Sequence, residues 1–166
     1  MRLEDLATVE EWVDLEKAVA ARWGLDASVF NTDGIRISGY KEWANRLCPR
    51  IKDNDKGQAF ICAVAHMNLA AVAKNTREAV IEECDAGLTK IVVPIFVEDE
   101  FIGAFGSCGL LLDDGEVDSF SVNKITGMAE DEVDSLAEGI PAISTEEAEA
   151  LCQFVQERIG KFLERL

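Results

Sequence analysis

Five cysteines and one histidine are the residues of this 166-residue chain best suited to chemistry. Cys48, Cys62, Cys84 and Cys108 are far apart in sequence, and no two form a Cys-x-x-Cys pair. The zinc-ribbon and thioredoxin spacings are therefore absent. Dispersed thiols act together only if the fold converges them; three or four converging thiolates bind zinc or an iron–sulfur cluster. His66 follows Cys62 by one helical turn, so both side chains share a helix face and are placed to ligate one metal. The competing reading of each cysteine is a small buried hydrophobe, and Cys152, on the last helix's apolar side, reads that way. A nucleophilic thiol needs a base within hydrogen-bond reach. His66 is the only histidine and no local motif pairs it with a cysteine, so the sequence reads as non-enzymatic. "GAFGSCG" lacks the Lys-Ser/Thr of a phosphate loop, and its glycines read as places where a ligand or another backbone comes close to a strand.

Cys84 and Cys108 bracket the segment "EECDAGLTKIVVPIFVEDEFIGAFGSCGL", which reads as a hairpin of two apolar strands around an acidic turn. In an antiparallel pair the start of one strand lies opposite the end of the other. The two cysteines are thus expected at the same end of the hairpin, with Cys62 approaching from the preceding helix and Cys48 as a fourth member.

The remaining elements follow from periodicity. Leu3 to Trp23 reads as one amphipathic helix ended by Gly24. "LDASVFNTDGIRISG" reads as strand, turn, strand. "YKEWANRLCPRI" reads as a short helix stopped near Pro49 and "IKDNDKGQ" as a polar loop. The Ala-rich stretch from Gln58 to Cys84 reads as mostly helical, with a break at Asn75 and Thr76. After an acidic connector, "TGMAEDEVDSLAEGIPAI" reads as a helix stopped by Gly139 and Pro141. Ser144 and Glu147 form a capping box ahead of a last helix striped by Ala148, Leu151, Val155, Ile159, Phe162 and Leu166. Paired strands separated by helices give an α+β domain with a central antiparallel sheet flanked by helices, an arrangement that resembles the PAS/GAF folds. No repeat or composition shift divides residues 1–166, which read as one domain with amphipathic N- and C-terminal helices.

Composition narrows the partners. The formal charge of −16 repels phosphate and anionic lipid surfaces, so neither nucleic acid nor membrane is an expected partner of this segment. Acids occupy the N-terminus where a signal peptide would be apolar, and no run reaches the length of a membrane span. The expected location is cytoplasmic. The terminal helix stripes suggest a homodimer.

These elements and residues resemble the PocR-type sensory domain, a PAS-like ligand-binding module of prokaryotic signalling proteins. "WGLDASVFNTDGIRIS" resembles its opening strand pair, and Leu47-Cys48 its aliphatic-then-Cys position. Cys84, Ala86, Gly87 and Leu88 resemble a Cys-His-Ala-Gly-Leu element in which Asp85 replaces His. "IVVPIFVEDEFIGAFGSCGLLL" resembles the family's hairpin, with Ser107-Cys108 where a glutamine is usual, and "LAEGIPAISTEEAEALCQFVQERI" its closing segment. The resemblance implies a domain that senses small hydrocarbon derivatives, such as diols, and does not itself catalyse. The expected ligand-binding residues are Phe30, Trp43, Cys62, His66, Asp85, Phe105 and Ser107. Cys48, Cys62, Cys84 and Cys108 are the expected metal ligands under the alternative reading, a cysteine-based zinc or iron–sulfur redox sensor.

Overall fold

A computed structural model describes residues 1–166. The chain begins with a short helix, α1 (Leu3–Leu6), and a longer one, α2 (Val9–Trp23). The expected single helix is broken at Ala7, which is extended, because Thr8 starts a new helix by a capping box with Glu11. Gly24, in the left-handed conformation, ends it as expected. Strand β1 (Asp26–Phe30) follows. The return strand expected after it is reduced to a single bridge between Phe30 and Arg36, and residues 31–46 form a long loop.

Three helical pieces come next: α3 (Leu47–Asp53), the single turn α4 (Asp55–Gly57), and a π-helical segment from Gln58 to Ala63 that runs into α5 (Val64–Thr76). Pro49 lies within the first turn of α3 rather than stopping it, since the N–H it lacks would have no intrahelical acceptor there. Arg77, in the left-handed conformation, ends α5. Strand β2 (Val80–Glu83) follows where helix was expected; its β-branched Val80-Ile81 suits a pleated surface.

The hairpin β3 (Thr89–Val97) and β4 (Glu100–Cys108) forms as expected. The sheet order is β1-β4-β3-β2, all antiparallel. The tail adds β5 (Leu111–Leu112), α6 (Ser119–Thr126), α7 (Glu130–Ala137), β6 (Ala142–Ile143) and α8 (Thr145–Leu163). Helix α6 falls in the expected connector; Asp118 caps it by accepting from Ser121 N–H. The architecture is α+β, a four-stranded antiparallel sheet with helices on both faces, as in PAS and GAF domains.

Strand alternation assigns the sheet's two faces. Val29, Ile91, Val93, Ile95 and Phe105 point to the main core, where α1, α2 and α8 pack. Val92 and Ala104 point the other way, onto Ala73 of α5. A separate cluster of Leu47, Ile51, Ile61, Ala86, Leu88, Val122 and Val133 joins α3, the π-helical segment, α6 and α7. The apolar stripes of α2 and α8, which suggested a homodimer, are turned inward: Trp12, Leu15, Val19, Leu151 and Val155 are buried in the main core. A homodimer therefore needs a surface other than these stripes.

Candidate functional site

Between the α5 face of the sheet and the cluster built on α3 lies a cavity of about 500 Å³. That volume falls within the ordinary range for a small-molecule site. Its floor is the end of the sheet. Asp26 of β1, Cys108 of β4 and Lys90 of β3 are aligned in register across three adjacent strands, so all three side chains share the cavity face. Gly106, one pleat along on that face, makes room for the Phe30 ring and the end of the Lys90 side chain to lie against the sheet. A Cβ there would lie 2.8 Å from the Phe30 ring and 3.0 Å from Lys90 Nζ. One wall is the π-helical segment with the start of α5, which contributes Gln58, Ile61, Cys62 and His66. A π-helical stretch is a strained, uncommon geometry that recurs at functional sites.

The long loop 31–46 covers the cavity with Asp33, Ile35, Arg36, Lys41 and Trp43. It is anchored at three places. Ile37 N–H donates to Val29 O at 3.1 Å, along the free edge of β1. Lys41 pairs with Asp26. Asn45 Nδ2 donates to Gly109 O at 2.6 Å. Beneath the loop, the buried carboxylate of Glu16 accepts from Val29 N–H and the Ser38 hydroxyl. Burial raises the Glu16 pKa, only partly offset by those two hydrogen bonds.

Of the residues expected to bind ligand, Phe30, Trp43, Cys62 and His66 line this cavity. Asp85, Phe105 and Ser107 do not. Asp85 is exposed in the tight turn Cys84–Gly87, closed by Gly87 N–H to Cys84 O at 2.9 Å. Phe105 and Ser107 are on the wrong pleat: they alternate with Gly106 and Cys108 and face the main core. Ser107 is fully buried and donates its hydroxyl to Asp26 O at 3.0 Å.

Cys48, Cys62, Cys84 and Cys108 all line the one cavity, so the fold gathers four residues scattered over sixty positions of sequence. Yet no three Cys, His, Asp or Glu side chains are disposed to hold a metal ion. Three of these thiols, Cys48, Cys62 and Cys84, are also held protonated. Burial raises the Cys48 and Cys62 pKa values and pushes Cys84 up to about 11. At Cys48 the neighbouring Cys108 adds to the effect, while at Cys62 Lys52 opposes it. All four cysteines form part of the cavity wall.

His66 is 6% exposed and stacks on Phe30, with ring centroids 3.8 Å apart. Burial, then the cations Lys90, Arg36 and Lys52, push its pKa down to about 3, so the ring is neutral. Its Nδ1 has no hydrogen-bond partner in the chain, nor do Asp26 Oδ1 and Gln58 Oε1.

Arg36, Lys41, Lys52, Lys90, Asp26 and Gln58 were not singled out in the sequence. Lys90 carried a readable signal. It is the one charge in the apolar run "KIVVPIFV" and shares its pleat with Val92, facing away from the main core.

A family model for the sensory domain found in PocR matches residues 5–165. The chain belongs to this family. The PocR match covers nearly every element described above, from α1 to the end of α8. Comparison with curated proteins and with solved structures gave no match. No helix of this sensory domain is long and apolar enough to cross a membrane.

Proposed function

We propose that this PocR-family domain is the input module of a signal-transduction protein. It binds a small hydrocarbon derivative in the cavity between sheet, π-helical segment and loop 31–46. The single observation that carries this reading is that three of the four buried, unpartnered side-chain polar atoms, Asp26 Oδ1, Gln58 Oε1 and His66 Nδ1, belong to cavity-lining residues. Buried polar groups are paired in the great majority of cases, so three orphans around one apolar-walled space call for a molecule that supplies their partners. The domain does no chemistry on that molecule. Its cavity thiols whose pKa values are raised stay protonated, and its single histidine is stacked on Phe30 rather than hydrogen-bonded to a thiol.

Binding shifts the population between an open and a closed position of loop 31–46. The signal leaves through α8, which packs against β3 on the opposite sheet face. A thermal-shift screen of C2–C6 alcohols, diols and acids tests this against the pocket-filling variant Ala65→Trp. A compound that raises the wild-type midpoint is expected to leave the variant's unchanged; equal responses would overturn the assignment.

A further inference from the structure

Lys90 is the group that nothing in the chain itself explains. It opens β3, is only 7% exposed and lines the cavity. Its Nζ lies 5.2 Å from the Phe30 ring centroid, and both pack over Gly106. It takes part in none of the chain's ion pairs, whereas Lys41 nearby is paired with Asp26. Burying an ammonium without a counter-charge is costly. The sequence has 32 carboxylates from which to supply one, yet none reaches Lys90.

The rest of the wall leans the same way. Arg36 and Lys52 also border the cavity and are unpaired. Counting Lys41, four cations face two carboxylates, Asp26 and Asp33. The cavity is therefore net positive inside a chain of formal charge −16. Around the cations lie Phe30, Ile51, Ile61 and Leu88, which offer an apolar body nothing to hydrogen-bond.

We propose that the ligand is a small organic carboxylate with a short apolar body, its charge neutralised by Lys90 within a field shared with Arg36 and Lys52. This inference rests on the sensory reading above and names the chemical class of its ligand. All three cations act on the His66 ring, which places them within electrostatic range of one point in the cavity. A charge-assisted hydrogen bond from Lys90 fixes one end of the ligand. The orphan acceptors Asp26 Oδ1 and Gln58 Oε1 favour a hydroxyl donor elsewhere on it.

The test is a matched series of butanoate, butan-1-ol and butan-1-amine, each titrated at constant ionic strength into wild type, Lys90→Met and Lys90→Arg while the thermal midpoint and binding heat are read. Butanoate is expected to bind and the alcohol and amine not to. Lys90→Met is expected to weaken butanoate by about tenfold or more, and Lys90→Arg to retain it. Alcohol binding as tight as butanoate, an unchanged Lys90→Met, or no response to butanoate would each overturn the proposal. A neutral compound from the wider screen that binds Lys90→Met and wild type equally, but not Ala65→Trp, would sink the carboxylate inference while leaving the sensory one standing.

Discussion

Replacing His66 should flatten the acid end of the stability curve. The ring's ordinary pKa is about 6.5, and in the folded chain it falls to about 3. The unfolded chain therefore takes up a proton that the folded chain refuses. Stability from this group is fully present above pH 6.5 and is lost as pH falls from there toward 3. Within that window each pH unit costs about 1.4 kcal/mol. From pH 7 to pH 5 the loss attributable to His66 is about 2 kcal/mol, a large share of a typical domain's stability. His66 is the only histidine, so a variant without it removes the whole effect. Urea unfolding of wild type and His66→Gln at pH 7, 6 and 5 measures it. The wild-type curve should drop relative to the variant's by about 2 kcal/mol over that range, with carboxylate contributions cancelling in the comparison. Parallel curves would refute the idea that a neutral, cation-crowded ring faces the cavity.

Other outcomes follow from the same geometry. Glu16 acts with opposite sign: its raised pKa means the folded chain holds the proton longer, so stability falls as pH rises from the unfolded carboxylate value through the folded one, and Glu16→Gln should remove that slope in a pH series of urea melts. Lys90→Met should raise the ligand-free urea midpoint, because a mostly buried cation with no carboxylate partner gives way to an apolar side chain. Gly106→Val should lower thermal stability, by about 1–3 kcal/mol of overpacking, because its side chain meets the Phe30 ring and Lys90 Nζ. Cys48 and Cys84, held protonated, should alkylate with iodoacetamide at pH 7 far more slowly than a free thiol, as read by mass spectrometry.

The hairpin and the last helix were legible in the sequence because their signals are local: two apolar runs around an acidic turn, and a capping box ahead of a stripe. Strand β2 was not, since "VIEE" continues an Ala-rich helical segment and only pairing with β3 reveals it. That Cys84 and Cys108 lie at one end of the hairpin was readable from its antiparallelism, whereas Cys48 and Cys62 come to border the same cavity only through the fold. Placing Phe105 and Ser107 with Cys108 was an error of parity that a count of two would have caught, because residues 105 and 107 alternate with 108 along one strand. The cations stayed hidden for a different reason. In an acidic chain a lysine or arginine reads as solvated surface; Lys90, inside an apolar strand, is the readable exception, and only the fold brings Arg36 and Lys52 to the same interior space.

The central claim is that this cavity receives a ligand, and chemical-shift mapping tests it most directly. An isotope-labelled domain is titrated with the best-stabilising compound from the acid, alcohol and diol screen. The account predicts that the largest shifts fall on Gln58, Cys62, His66, Lys90 and Cys108, and that Phe105, Leu151 and Val155 on the far side of the sheet move least. Largest shifts on the far face or the outer helix surface, with the cavity residues unmoved, would contradict it.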